Sequence, residues 1–395
     1  MTSVKRRIDL ATLHRSEFSA LKPVWRAAHR SAKIEARLVV GGSHLLARVG
    51  SSIDAVRKAG REFGTAPAAE IPFLEEDDDS DAQIAAAFAR AAAAFAARFV
   101  ADRPDALFLI GDRWEALAVA CAASVARIPI IHHSGGDVTQ GSADNQTRYA
   151  ISQLAHRHLT ALPEHSRRLI AIGEEPWRVE TVGEPSLAEI GSPPDPRGEI
   201  GLVPNAPFAL ATFHPSSFDT LPPKAQIQCF IESLRALDLD LVITAPNADA
   251  HGGTFYRALQ AFAAHTPRAL MVENLGERLY HAAMAHADLM IGNSSSGIWE
   301  APSFGLPVVN LGRRQEGRRR GANVVDAPLE REAIAQAVMT ARSDAFRATA
   351  RATQNPYAQA DCLKRILAVL EDPTPKDKLL AKLLIDPIAQ TSERA

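Results

Sequence analysis

"ALFLIGDRWEALAVACAASVARIPIIHH", running from Ala106 to His133, contains the unit from which the rest of the chain is built. Five apolar residues stop at Gly111-Asp112, an alanine-rich stretch with helical spacing follows, and a second apolar run begins at Ile128. Apolar run, helix, apolar run is the pattern of two parallel strands joined by a crossover helix. It recurs on both sides. Upstream lie "ARLVVGG" from Ala36 and the helical "SDAQIAAAFARAAAAFAARFVAD"; downstream lies "RHLTAL" from Arg157. Strands alternating with helices predict a parallel sheet wrapped on both faces.

The Pro- and Gly-rich stretch "GSPPDPRGEIGLVPNAP", Gly191 to Pro207, interrupts the series and reads as a linker. Beyond it the alternation resumes, with strands in "FALATFHP", "LDLVITAPN", "ALMVEN", "DLMIGN" and "PVVNLG" and helices such as "AQIQCFIESLRALD" and "LYHAAMAHA" between them. A second doubly wound sheet is therefore expected. The length of 395 residues asks for it too, since a single core stops growing at roughly 250–300 residues. The predicted division is a first domain over 1–190, a linker over 191–207, a second domain over 208–365, and a closing helix and tail over 366–395.

Composition excludes several classes. Forty-four Lys and Arg against 46 Asp and Glu leave a net charge of −2, which supplies no general field for nucleic acid or an anionic membrane, and neither is an expected partner. Any anionic ligand must be held locally. Cys121, Cys229 and Cys362 are odd in number and form no C-x-x-C pair, so reduced thiols and a cytoplasmic location are expected. No stretch reads as a signal peptide, and none reaches about 18 uncharged apolar residues.

Open parallel sheets bind ligands beyond the carboxyl ends of their strands. Polar clusters stand at those places. After "ALFLI" come Asp112, Arg113 and Glu115; after "IPII" comes "HHSGGDVTQGSADNQTRYA", with Asp137, Asp144 and Arg148. After "FALAT" comes His214; after "LVITA", Asn247 and Asp249; after "DLMI", the stretch "GNSSSGIWEAPSFGLPVVNLG" (Gly292 to Gly312), with Ser294, Ser295, Ser296 and Glu300. Each admits a plain structural role as well. Asp112 suits a cap for a helix beginning at Arg113, His214 a packed or capping histidine, and the serines an N-cap. The functional reading of the serines is an anion cradle of hydroxyls and amides at a helix start. His132 and His133 point to opposite faces of a strand with no H-x-x-x-H or cysteine neighbour, so no metal is expected. Neither G-x-x-x-x-G-K-[ST] nor G-x-G-x-x-G occurs. The run "GRRQEGRRRG", Gly312 to Gly321, reads as a solvated face.

Taken in order, "GDRWEALAVACAA", "IPIIHHSGGDVTQGSADNQTRYAISQLAHRH", "VGEPSL", "TFHPSS", "PNADAHG" and "GNSSSGIWEAPSFGLPVVNLGRRQEGR" resemble the signature blocks of the hydrolysing UDP-N-acetylglucosamine 2-epimerases of sialic- and legionaminic-acid-type biosynthesis. The resemblance implies an α/β fold of two Rossmann-like domains facing across a cleft, of the glycosyltransferase-B type, with the C-terminal helices returning to the first domain. It implies elimination of the nucleotide diphosphate to a glycal and re-addition of water, with a nucleotide sugar as partner, no cofactor and no metal, in a homodimer. Matched residue by residue, it gives proton transfer to Asp112, Asp137 and Asp144, and the leaving diphosphate to His214. Arg15 and Ser294, Ser295, Ser296 and Gly297 take the diphosphate, Glu300 the ribose, and Arg113, Glu115, Arg148 and Asn247 the sugar.

The chain also departs from the family pattern. Asp137 stands where the family has glutamate, and Leu13 and Ser19 replace glycines of the first loop. Ser134 and Tyr149 replace histidines, Asn145 replaces an acid, and Arg313 and Glu316 invert common charges. Most of these fall on the sugar side, which points to a changed sugar such as a diacetamido-trideoxyhexose. The first reading is a hydrolysing 2-epimerase of a UDP- or GDP-activated N-acetylaminosugar. The alternatives are a glycosyltransferase or nucleotide-sugar hydrolase of the same fold, and a nucleotide-sugar-binding protein without turnover.

Overall fold

The computed structural model describes residues 5–46, 52–75, 80–247 and 251–386; Asp249 lies outside them. Among the described residues the strands form two sheets in which every neighbouring pair is parallel. The first contains β1 (Arg6–Thr12), β2 (Ile34–Gly41), β3 (Ala69–Ile71), β4 (Ala106–Ile110), β5 (Ile130–His133), β6 (Arg157–Thr160) and β7 (Val179–Thr181), in the order β3-β2-β1-β4-β5-β6-β7. The second contains β8 (Phe208–Thr212), β9 (Asp240–Thr244), β10 (Ala269–Val272), β11 (Leu289–Gly292), β12 (Val308–Leu311) and β13 (Val324–Ala327), in the order β10-β9-β8-β11-β12-β13. This is the pair of helix-flanked parallel sheets that the sequence predicts. β4 and β8 are buried at every residue, because helices cover both faces and leave no solvent side for a polar alternation.

β1 was not visible as a strand, since "RRIDLAT" carries charges into a central position of the sheet. Asp9 is fully buried there, and Arg37 Nε (2.7 Å) and Arg98 Nε (3.1 Å) bond its two oxygens. Two guanidinium partners are what a buried carboxylate needs to remain tolerable in the core.

In the first lobe the helices are α1 (Arg15–Arg30), α2 (Ile53–Phe63), α3 (Asp81–Ala101), α4 (Trp114–Val125), α5 (Asp144–Leu154) and α6 (Pro163–Ala171). With 21 residues and a mean hydropathy of 1.5, α3 is long and apolar enough to cross a membrane by length and composition. In this fold it lies along α4, with Ala87, Ala91, Phe95 and Phe99 buried. The linker stretch holds one short helix, α7 (Arg197–Ile200), whose Ile200 enters the second core. The second lobe adds α8 (Pro223–Arg235), α9 (Gly252–Ala264), α10 (Gly276–His286), α11 (Ser296–Trp299), α12 (Arg331–Arg342) and α13 (Asp344–Ala352).

The chain then crosses back. In α14 (Cys362–Leu370), Cys362, Ile366, Val369 and Leu370 are buried in the same core as Leu21 and Trp25 of α1. After α15 (Lys376–Leu380), Arg178 bonds the carbonyls of Leu379 (2.9 Å) and Ala381 (3.1 Å). Lys382 bonds the carbonyls of Gln153 and Ala155, each at 2.9 Å, and Glu174 Oε1 at 2.6 Å. Such carbonyls at the end of α5 favour a cation.

Candidate active site

Between the two sheets lies a cavity of about 620 Å³, a size that suits a nucleotide-sized ligand. Its walls come from the carboxyl ends of strands in both lobes. In each sheet the strand order reverses at one place, between β1 and β4 and between β8 and β11, and the cavity sits over both reversals. Arg15, Asp112, Arg113 and Asp144 line it from the first lobe. His214, Asn247, Ser294, Ser295, Ser296 and Glu300 line it from the second. The structure therefore brings most of the predicted residues to one crevice.

The second-lobe wall is built on Gly292 and Asn293. Gly292 has φ +142°, and a side chain there would collide with the Thr212 carbonyl of the neighbouring strand. Asn293 then staples the two strand ends together: its Oδ1 accepts the His214 amide (2.7 Å) and its Nδ2 donates to the His214 carbonyl (2.8 Å). The Asn247 amide donates to His214 Nδ1 (3.1 Å), which places the ring proton on Nε2. His214 is thus neither a helix cap nor core filling. It is a wall residue whose tautomer the backbone fixes.

α11 is a single turn, so its dipole is small, and no serine side chain caps it. Hydroxyls are what this turn presents. Ser294 Oγ and Ser296 Oγ lie 2.9 Å apart, and Tyr280 Oη meets Ser296 Oγ at 2.6 Å. Glu300 Oε1 bonds His281 Nε2 at 3.1 Å. Burial pulls the His281 pKa down, but the Glu300 bond more than offsets it, so the imidazole is held above its ordinary value.

On the first lobe, Asp112 does not cap α4, whose N-cap is Arg113 without a side-chain bond. The Asp112 carboxylate pairs with Arg148 and stands 3.7 Å from Arg318. Burial acts against its charge, yet Arg148 and then Arg318 keep it below the usual carboxylate range. Asp144 accepts from the Ser142 hydroxyl at 2.9 Å. Arg15 reaches across to the second lobe, where it donates to the carbonyls of Ala245 (2.9 Å) and Glu273 (3.0 Å). Leu13, the glycine replacement, turns into the core and is 1% exposed, so its side chain stays out of the ligand's path.

Four predicted residues are absent from the wall. Gly297 packs on Val308 of β12, Glu115 forms a buried pair with Arg113 (3.0 Å), and Arg148 and Asp137 stand one layer back. Glu115 and Arg148, expected against the sugar, stand instead behind the groups they pair with, Arg113 and Asp112. His132 and His133 are fully buried and bond the carbonyls of Gly111 (2.7 Å) and Gly183 (2.9 Å). Burial lowers them to about 3 and about 4, so both are neutral.

Sequence reasoning missed other wall residues. Arg314 and Arg318 come from the run read as a solvated face, and Arg318 is 7% exposed. Glu184, from "VGEPSL", also lines the cavity; burial, with Glu300 adding to it, pushes its carboxyl up to about 8. Glu17 lies beneath Gly111, with Oε2 accepting the Leu13 amide and Oε1 buried without a partner. Burial and then the nearby Glu115 raise it from 4.5 to about 8.

A testable consequence concerns Glu17. The folded protein keeps the Glu17 proton between pH 4.5 and about 8, whereas the unfolded chain releases it, so folding loses stability as pH rises through that window. Glu17→Gln removes the loss. Its melting temperature should exceed that of the native protein by about 3–6 °C at pH 8.5 and match it within about 2 °C at pH 5. Equal melting at both pH values would place the proton elsewhere.

The chain matches the family model for UDP-N-acetylglucosamine 2-epimerase over residues 26–371. It is 31% identical over 334 residues to the UDP-N,N'-diacetylbacillosamine 2-epimerase (hydrolyzing) of Legionella pneumophila, covering 83% of this chain and 87% of that one. It is 30% identical over 332 residues to the GDP/UDP-N,N'-diacetylbacillosamine 2-epimerase (hydrolyzing) of Campylobacter jejuni, covering 82% and 85%. The crystal structure of the UDP-GlcNAc 2-epimerase from Neisseria meningitidis bound to UDP-GlcNAc superposes with a TM-score of 0.75 at 15% identity, over 93% of this chain and 99% of that one, a likeness of fold. By the extent of these matches the chain is an enzyme of the hydrolysing UDP-N-acetylglucosamine 2-epimerase family.

Proposed function

We propose that the protein converts a UDP- or GDP-activated N-acetylaminosugar, of the diacetamido-trideoxyhexose class, to the free manno-configured sugar and nucleotide diphosphate, toward a nonulosonic acid. One observation carries the reading: Asp112, held ionised, and Asp144 line from one lobe the same cavity that a row of serine hydroxyls lines from the other. Relatives at 30–31% identity that act on diacetylbacillosamine nucleotides support the sugar class. So do Ile110 and Trp299, which give the wall apolar surface suited to a deoxysugar.

In this reading Ser294, Ser295 and Ser296 hold the diphosphate, with Arg15 and Arg314 supplying positive charge, and Glu300 takes the ribose hydroxyls. Asn247 and Arg113 bound the sugar. A carboxylate, Asp112 or Asp144, removes the C2 proton. The C1–O bond to the diphosphate breaks, its electrons leave with the nucleotide, and a C1–C2 double bond remains. His214 Nε2–H donates to the departing diphosphate. Water then adds its hydroxyl at C1 and gives its proton to the other carboxylate, which passes one to C2 from the opposite face, while the first carboxylate releases the proton it took to solvent.

The test is incubation with UDP- and GDP-activated N-acetylaminosugars in deuterated water. Free nucleotide with deuterium at C2 of a manno sugar is the expected result. Nucleotide release with no label at C2 would show plain hydrolysis or transfer, and tight binding without release would show a binding protein.

A further inference from the structure

We infer that Arg318, delivered by the second lobe, is a positioning residue for the reaction: it fixes Asp137 as an anchor and thereby holds Asp112 at the sugar. The inference rests on the epimerase reading above. Asp137 lies outside the cavity wall and is 2% exposed. Its oxygens are already engaged. Oδ1 accepts the Val138 amide (2.8 Å) and faces His165 Nε2 (3.3 Å), while Oδ2 accepts Arg318 Nε (2.8 Å). A carboxylate held through both oxygens and set behind the cavity wall is placed as a firm post rather than as a partner for a ring carbon.

The post is tied to the acid in the wall. Arg148 donates from Nη1 to the Asp137 carbonyl (3.2 Å) and from Nη2 to Asp112 Oδ2. Arg318 adds a second cation 3.7 Å from that same oxygen. One buried carboxylate and one partly buried carboxylate therefore face two guanidinium groups, and without Arg318 the pair keeps one cation for two negative charges.

Arg318 itself is held from the second lobe. Its Nη1 donates to Gln315 Oε1 (2.7 Å), and its guanidinium lies 4.3 Å from the centre of the Trp299 ring. The loop that carries it is sewn to the first lobe by the Gln140 amide donating to the Glu316 carbonyl (2.9 Å). Gly141 touches Arg313 so closely that any side chain would strike the Arg313 backbone. The acid pair is thus complete only with both lobes in contact, which ties catalytic geometry to engagement of the nucleotide-side lobe.

The test uses the full chain carrying Arg318→Met, Arg318→Lys, or Arg318→Met with Asp137→Asn. Arg318→Met is expected to lower kcat about 30- to 100-fold, with KM and calorimetric UDP affinity within about threefold of the native values. The other charged or titratable groups facing the pair are Arg148, Asp144, His165, Glu17 and Tyr357. These stay in place, so the acidic limb of the kcat–pH profile should move up by about one unit as Asp112 loses a cation. Arg318→Lys should recover kcat to within about tenfold of native, and it carries the test if the methionine variant does not fold. The double variant should be no slower than Arg318→Met, because the anchor is already lost.

An unmoved acidic limb with kcat within threefold would overturn the inference. So would a fall in UDP affinity that matches the fall in kcat, or multiplicative losses in the double variant. A crystal structure of Arg318→Met with UDP decides it without turnover: the Asp112 carboxylate should shift by about 1 Å, and an unmoved Asp112 refutes the role. Absence of nucleotide release by the native protein from every UDP- and GDP-sugar tried would instead defeat the epimerase reading, and the crystal result would still stand.

Discussion

Asp112→Asn should lower kcat by about 10³-fold while UDP binds within about threefold of native. Asp112 is in the wall of the cavity, and Arg148 and Arg318 hold it ionised. Asparagine has the same shape but cannot accept a proton from C2. Apart from Arg15, the residues that would hold UDP stand on the opposite lobe, so binding is spared. The neighbouring guanidinium groups lose an anion, and the melting temperature should drop by several degrees. Turnover is therefore compared well below it, by nucleotide release in a single turnover, with calorimetry for UDP. Full activity in Asp112→Asn would pass the proton-transfer role to Asp144.

The second large effect is on binding. Ser295→Ala combined with Glu300→Ala should weaken UDP affinity by about 10²- to 10³-fold, since hydrogen bonds to charged groups are worth about 1.5–3 kcal/mol each. kcat at saturating substrate should change by less than about tenfold, because the proposed reading gives both side chains to the nucleotide and neither to the proton transfer. Glu300 also holds His281, so Glu300→Gln serves as the control that keeps an acceptor for that imidazole. An unchanged UDP affinity in the double variant would remove the serine turn from the nucleotide site.

The interior of the fold was legible in the sequence because its strands are covered on both faces. β4, β5, β8, β11 and β12 are runs of buried residues, and such runs stand out. The edges were not. β3 ("AEI"), β7 ("VET") and β13 ("VVDA") are three or four residues long and carry an acid or a threonine, because an edge strand needs little apolar surface. β1 escaped notice because Asp9 is neutralised by partners far away in sequence, Arg37 and Arg98.

The site divides in the same way. Residues just past a strand, such as Asp112, His214 and Ser294, were found from position alone, since a parallel sheet dictates where ligands meet it. Arg318, Glu184 and Glu17 owe their environment to burial against other segments. A run of arginines between glycines gives no sign of which one another lobe will cover. The seam between residues 138–142 and 313–318 exists only in three dimensions.

The return of α14 has a bearing on how the chain is made. Ile366, Val369 and Leu370 complete the core that α1 begins, so the first lobe's hydrophobic interior waits through synthesis of the whole second lobe before it can be sealed. The second sheet, contiguous in sequence, can settle first on the ribosome. A nascent chain that stops short of Cys362 would leave an open apolar groove on its earliest helix, and that groove is where chaperones or aggregation would take hold.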